Sequence, residues 1–322
     1  MPASSADALG ARDRPRFAYL GPEGTFTEQA LRALPEAEGT RLLAVNSADE
    51  ALEHLRGGAA DAAMLPVHNT VGGLVAGTVR ALVAAPALEI LREVTLSIDF
   101  ALLTRPGLPL REVRAVTGHP HARAQAAGWL GTFLPSARWV SAPSNAAGAE
   151  WVRDGRCDAA LAGHFTAARY GLDIAAERIQ DHSGALTRFL LVALPRVWQK
   201  TPSTDSDVTS LTGLVDGQEI QLRARFAQLT QHASLDGASL AILGNQNVRH
   251  GIFIDCPGNL TDPGTARAID LLQSMIPGLR MLGSYPTSPP ALPGHRQKVS
   301  TAPPLKMIQR NDAMNTHVTA AS

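Results

Sequence analysis

Short apolar runs alternate with amphipathic stretches over the first two-thirds of the chain, and this rhythm predicts a β/α succession. Arg16-Phe17-Ala18-Tyr19-Leu20 reads as a strand stopped by Gly21-Pro22. Leu42-Leu43-Ala44-Val45 predicts a second strand, residues 48–56 a helix, Ala62-Ala63-Met64-Leu65 a third strand and residues 73–83 another helix. The same units recur between about residues 100 and 180, with strands at 113–116, 137–140 and 159–162, each followed by a helical pattern. Such alternation argues for parallel α/β structure. Two similar lobes, joined by strands near 97–103 and 188–193, predict a ligand cleft between them.

From residue 208 to 285 the order changes to strand (210–215), helix (218–232), strand (239–243), strand (251–255), helix (263–274) and strand (279–282). That βαββαβ order is ferredoxin-like. Polar residues 1–15 read as a flexible leader, and residues 198–207, rich in Thr, Ser and Asp, as a linker. Residues 287–322, opening with Pro289, Pro290 and Pro293, read as a disordered tail.

The chain has 322 residues, enough for two cores. Its 29 basic and 29 acidic residues balance, so no global field draws nucleic acid or an acidic membrane surface, and a small-molecule partner is the default. No apolar run reaches the roughly 20 residues that span a bilayer. Neither a basic n-region nor an apolar h-region opens the chain, so the expected compartment is the cytoplasm. Cys157 and Cys256 have no Cys or His at metal-ligand spacing, which argues against disulfide and metal roles.

Candidate chemistry gathers at four strand-to-helix junctions rich in small or polar residues. These are Gly21-Pro22-Glu23-Gly24-Thr25-Phe26, Asn69-Thr70-Val71-Gly72-Gly73, Gly118-His119-Pro120-His121 and Pro143-Ser144-Asn145. In parallel α/β lobes such junctions lie at the carboxyl ends of strands, where free helix amides suit carboxylates. Each is equally a plain N-cap when taken alone. Their recurrence in both lobes favours an anion cleft. Thr187 and Arg188 stand at the mouth of the apolar strand Leu190-Leu191-Val192. A β-branched strand start beside a solvated Arg is the plainer account of them.

At this point the chain resembles prephenate dehydratases. The opening Tyr19-Leu20-Gly21-Pro22-Glu23-Gly24-Thr25-Phe26-Thr27-Glu28-Gln29-Ala30 is similar to the family's first motif, and Thr187-Arg188-Phe189 matches its Thr-Arg-Phe signature. Ala168-Arg169-Tyr170-Gly171-Leu172 stands upstream at the family's spacing, and Leu279-Arg280-Met281-Leu282-Gly283-Ser284-Tyr285-Pro286 is similar to the end of the family's regulatory ACT domain. The resemblance implies a type 2 periplasmic-binding-protein-like catalytic domain over 16–197, its second lobe at about 103–186, and an ACT-like domain over 208–286. It also implies a cytoplasmic homodimer or homotetramer that needs no metal or organic cofactor and turns prephenate into phenylpyruvate, water and carbon dioxide. Thr187 would assist the departing hydroxyl, and Arg188 would hold a carboxylate or fix its loop. Asn69 and His68 join them as catalytic candidates. Thr25, Phe26, Thr70, Gly73, His119, Ser144, Asn145 and Phe189 would contact substrate.

Three departures qualify the resemblance. Where the family has Glu before Asn, this chain has His68, and Ala185 replaces an Asn two residues before the signature Thr. Both are expected to lie in the cleft. Protonated His68 would hold a substrate carboxylate and make the rate pH-sensitive near neutrality. The ACT-like part lacks the family's Glu-Ser-Arg-Pro motif, with Gly244-Asn245-Gln246-Asn247 in its place and Gly213-Leu214-Val215-Asp216 at the first phenylalanine loop. Phenylalanine control is therefore not expected. The rival readings are a specialised paralogue, either a non-aromatising prephenate decarboxylase or an arogenate dehydratase, and a non-catalytic binding protein on the same fold.

Overall fold

Phe17, Ala18 and Tyr19 are fully buried at the centre of β1 (Arg16–Leu20), in a computed structural model that describes residues 14–198, 202–204, 206–232, 237–244, 249–287 and Met307. The chain continues through α1 (Phe26–Arg32), β2 (Arg41–Val45), α2 (Ala48–Arg56) and β3 (Ala62–Asn69). Ser47 caps α2 by accepting the Glu50 N–H, and Ala48, Ala51, Leu52 and Leu55 form its buried face at helical spacing. After β3 comes β4 (Gly73–Leu74), which folds back to pair Gly73 with Asn69. The helix expected from residue 73 therefore starts later, as α3 (Ala76–Ala84). The cause is local: Asn69 Oδ1 accepts the Val71 and Gly72 N–H groups and turns the chain, and Gly73 takes φ +73°.

From β5 (Glu89–Ser97) the chain crosses into the second lobe, made of β6 (Ala101–Thr104), β7 (Ala115–Gly118), α4 (Pro120–Gln125), α5 (Ala127–Phe133), β8 (Arg138–Ser141), α6 (Asn145–Arg153), β9 (Ala159–Ala162), α7 (His164–Tyr170) and β10 (Asp173–Ala176). It returns as β11 (Leu186–Ala193). The strand orders are β2-β1-β3-β11-β5 and β10-β6-β9-β7-β8. Pairing is parallel among β2, β1 and β3 and among β8, β7 and β9, as expected. Each crossing delivers one reversed strand, β11 in the first sheet and β6 in the second. The crossings run side by side, with Phe100 N–H donating to Gln180 Oε1 and Ile179 N–H to the Phe100 carbonyl.

The last unit comprises β12 (Asp207–Asp216), α8 (Glu219–His232), β13 (Ser239–Leu243), β14 (Arg249–Pro257), α9 (Pro263–Met275) and β15 (Leu279–Pro286). Its antiparallel sheet has the order β13-β14-β12-β15, a ferredoxin-like arrangement. Leu211, Ile252 and Ile254 pack under Leu222, Phe226 and Leu272 of the two helices. Phe253, Leu282 and Tyr285 join the first lobe's core beside Leu82 and Ile90. Thus the chain is α/β, with a two-lobed unit followed by a ferredoxin-like one.

Several expectations need correction. Trp198 belongs to no loose linker: it is 5% exposed, lies edge-on to Phe17 and donates its indole N–H to the Asp61 carbonyl at 3.0 Å. Asp207, the other end of that stretch, is buried in β12. Within the tail, Met307 forms an isolated antiparallel bridge with Trp198 and packs on the same core. Gly213 to Asp216 finish β12, in keeping with the strand expected over 210–215, so the stretch matched to the family's first phenylalanine loop is strand here; a Cβ on Gly213 would lie 2.3 Å from the Gly278 carbonyl oxygen. The leader through residue 13, the tail apart from Thr287 and Met307, and residues 245–247 lie outside the described residues. No helix among the described residues is long and apolar enough to cross a membrane.

Candidate active site

All four junctions open into one cavity of about 860 Å³ between the lobes. Thr25, Phe26, Asn69, Gly73, His119, Ser144, Asn145, Thr187 and Phe189 line it. Thr25 and Ser144 cap α1 and α6, accepting the Glu28 and Ala147 N–H groups, so their backbones are set by the helices they start. His119 caps α4 through Nδ1, which accepts the His121 N–H at 3.2 Å. In the neutral ring this leaves the proton on Nε2. Asn145 Oδ1 in turn accepts the His119 N–H at 2.8 Å and joins two junctions of the second lobe.

The central pair is Asn69 and Thr187, brought together across β3 and β11. Asn69 Nδ2 donates to Thr187 Oγ1 at 2.8 Å. Because Asn69 Oδ1 already accepts two backbone N–H groups, the amide can only present its NH₂ to Thr187. The Thr187 oxygen is thereby an acceptor, and its own hydrogen is left for another partner. Thr187 is 8% exposed, at the wall of the cavity.

Three candidates turn elsewhere. Side chains alternate along β11, so Thr187 and Phe189 face the cavity while Arg188 points to the opposite face of the sheet. There it binds Glu93, Asp255 and Tyr285, which excludes it from holding a substrate carboxylate. His68 pairs opposite Arg188 in the ladder, is exposed and is not among the lining residues. Thr70 ties the β3 turn to β11, its Oγ1 accepting the Leu186 N–H and its N–H donating to the Leu186 carbonyl. Ala185 is buried in the core and accepts the Ile98 N–H. Neither His68 nor Ala185 therefore touches the cleft, contrary to expectation.

Sequence reading missed other parts of the site. Asn46, Phe100, His121 and Gln125 also line the cavity. His121 stands out in the sequence only as part of a junction, and the others carry no local signal. The loop carrying Gly24 is fixed from the second lobe: Tyr170 donates its hydroxyl to the Glu23 carbonyl at 2.7 Å, Thr166 donates to the Gly24 carbonyl at 2.9 Å, and Arg169 pairs with Glu23. Glu28 holds the loop from below by accepting the Gly24 N–H at 2.6 Å. Phe26 stands edge-on between Phe100 and Phe165.

Electrostatically the cavity is close to neutral. Among the described residues its lining includes no Asp, Glu, Lys or Arg. Burial first, and the adjacent His121 second, lower the His119 pKa from its ordinary value. The site thus offers neutral donors, namely helix amides, a hydroxyl and an imidazole N–H, against an aromatic floor. Such a lining suits an anionic ring compound.

A family model described as Prephenate dehydratase matches residues 17–196. The prephenate dehydratase of Mycolicibacterium vanbaalenii is 37% identical over 291 residues, which cover 85% of this chain and 91% of that relative. Among solved structures, the prephenate dehydratase of Arthrobacter aurescens in complex with L-Phe matches with a TM-score of 0.74 and 33% identity, over 88% of this chain and 93% of that one. A protein described as GqqA, a novel type of quorum quenching acylase, matches with a TM-score of 0.70 and 24% identity, over 85% and 98% of the two chains. At that identity the likeness concerns the fold alone.

Proposed function

Because this chain belongs to the prephenate dehydratase family, we propose that it is a carbon–oxygen lyase that converts prephenate to phenylpyruvate, with Thr187 as donor to the departing hydroxyl. The observation that carries this reading is the Asn69–Thr187 bond, which commits the threonine oxygen as acceptor and leaves its hydrogen for the cavity. The bond from the ring to its carboxylate breaks, that carboxylate leaves as carbon dioxide, and its electron pair completes the aromatic ring as the C4–oxygen bond breaks. The oxygen departs with a proton taken from solvent and is released as water. A well-placed hydrogen-bond donor to the charge developing on that oxygen is worth about 10²–10³ in rate.

The neutral lining supports the same chemistry. A fixed cation on the ring carboxylate would stabilise the ground state more than the transition state, in which that charge is moving into the ring. Helix amides and His119 Nε2 can hold the pyruvyl carboxylate without such a penalty. Ordinary dehydration is favoured over a non-aromatising outcome because the two departures that suggested altered chemistry, His68 and Ala185, lie off the cleft. We take the enzyme to act in the cytoplasm as a homodimer or homotetramer, as the family resemblance implies. Light scattering on the purified protein measures the assembly. Incubation with prephenate, followed by ultraviolet and mass identification of products, tests the activity. Phenylpyruvate supports the reading, whereas a non-aromatic keto acid or unchanged prephenate overturns it.

A further inference from the structure

We propose that Arg188 and Asp255 are positioning residues, through which the C-terminal ferredoxin-like sheet braces the back of the strand that aims Thr187 into the cleft. This rests on the reading of Thr187 given above and names what holds that residue in place.

Arg188 follows Thr187 directly and faces away from the cavity. Its Nε donates to Glu93 of β5 at 2.7 Å, its Nη1 to Asp255 of β14 at 2.5 Å, and its Nη2 to Tyr285 of β15 at 2.6 Å and to the second Asp255 oxygen at 3.3 Å. Ser210 of β12 donates to Asp255 at 2.5 Å and bonds Tyr285 at 2.6 Å. One guanidinium thus joins the Thr187 strand to two strands of the C-terminal sheet directly, and to a third through Ser210. Charge-assisted, two-pronged bonds of this kind fix orientation as well as proximity.

The brace acts where one of the strand's two ladders is irregular; pairing with β5 runs unbroken from Leu186 to Leu191. Pairing between β11 and β3 shifts register between Arg188 and Phe189, next to Thr187. An irregularity in a ladder leaves the direction of nearby side chains to be set by other contacts. The same C-terminal sheet also supports a second part of the cavity lining. Arg280 of β15 donates to the Leu82 and Val83 carbonyls at the C-terminal end of α3, and Val75 and Ala76 at the other end of that helix line the cavity. A cation there complements the helix dipole. Two parts of the first lobe's lining are thus held by one sheet.

Within the cluster two carboxylates serve one guanidinium. Replacing Asp255 with Asn leaves Arg188 and Glu93 as a balanced pair, so the variant should fold while the tie between the two units is weakened. The test uses the full chain carrying Asp255→Asn or Tyr285→Phe, with Ile269→Val under α9 as a control that loosens the same unit away from this contact. Three readouts are taken: kcat and KM on prephenate, Tm, and hydrogen exchange of the Thr70 and Leu186 amides that close the turn over Thr187. Asp255→Asn should lower kcat about tenfold or more with KM within about threefold, since small misplacements cost this much. It should also speed exchange at both amides, and Tyr285→Phe should do the same to a smaller extent. Ile269→Val should lower Tm and leave kcat and both amides unchanged. If Asp255→Asn loses Tm but keeps kcat, the cluster is merely structural and the proposal fails. Unchanged exchange at Thr70 and Leu186 refutes the mechanical link by itself. Absence of phenylpyruvate from the wild type would instead sink the functional reading, and the exchange measurement would still decide whether the brace exists.

Discussion

Asn69 holds Thr187 by a 2.8 Å bond from Nδ2 while its Oδ1 accepts the Val71 and Gly72 amides. A turn-forming residue therefore dictates which way a hydroxyl hydrogen can point, and this links the β3 hairpin to the chemistry. Thr187→Ala should reduce kcat by about 10² or more with little change in KM, because the hydroxyl acts mainly as the C–O bond breaks. Thr187→Ser should stay within about tenfold of the wild type, since it keeps the donor and loses only a methyl group. Asn69→Ala frees the hydroxyl to rotate and loosens the turn, so kcat should fall to a level between the two. Steady-state rates of phenylpyruvate formation check all three, and a fully active Thr187→Ala removes this residue from the mechanism.

His68 lies on the Arg188 face of the sheet and off the cavity. The sequence-based expectation of a pH-dependent carboxylate clamp at His68 is therefore withdrawn. His68→Gln should leave both kcat/KM and its pH profile unchanged within about twofold, as is usual for an exposed site away from the chemistry. A lost limb in that profile would bring His68 back into the site.

What was legible in the sequence was what local forces decide. Helix α2 carries its own N-cap at Ser47 and its own apolar stripe, and β9 is an uninterrupted apolar run, so the sequence pattern marks both residue for residue. The junctions stood out because small and polar residues interrupt such runs. Side-chain direction near the junctions was not legible, because the Asn69 turn and the register shift at Arg188 change the phase of alternation. Tyr170 and Glu23, 147 residues apart, meet only when the lobes pack. Arg188 and Asp255 likewise meet only when the C-terminal sheet docks.

The polar residues that follow Trp198 give it the look of a linker, yet it closes the core beneath Phe17. Trp198→Ala removes a buried ring and leaves the Asp61 carbonyl without its donor, so it should cost about 3–5 kcal/mol of stability. Urea unfolding measures this. A loss below about 1 kcal/mol would mean that the indole contributes little and that the linker reading was adequate.

Phenylalanine should neither bind nor inhibit, although the relative from Arthrobacter aurescens was solved with L-Phe. The reason lies in sequence: Gly244-Asn245-Gln246-Asn247 offers neither the acidic nor the basic group of the family's motif for a zwitterionic amino acid. Titration calorimetry with L-Phe decides it. Tight binding with loss of turnover would show that other residues of the C-terminal unit form the effector site.

His119 gives the cleft a defined acid response. Its Nδ1 accepts the His121 N–H that starts α4, so protonation would replace an acceptor with a donor facing a donor. Burial, followed by the neighbouring His121, lowers its pKa from the ordinary value of about 6.5. As pH falls through about 6.5 the unfolded chain takes up this proton while the folded chain does not. The unfolded state then binds more protons, and stability declines as pH falls; above that window both states are neutral and the contribution is fully present. The urea midpoint should accordingly drop between about pH 7 and pH 5.5, a range in which unperturbed carboxylates stay ionised. His119→Asn keeps an acceptor for the His121 N–H and should flatten the drop, whereas an equal slope in the variant would assign the acid response to another group. Substrate acts in the opposite direction, because a carboxylate at Nε2 favours the imidazolium. Binding should therefore take up protons on the acid side of neutrality, visible as a dependence of the calorimetric enthalpy on the buffer's ionisation heat. In His119→Asn that dependence should vanish.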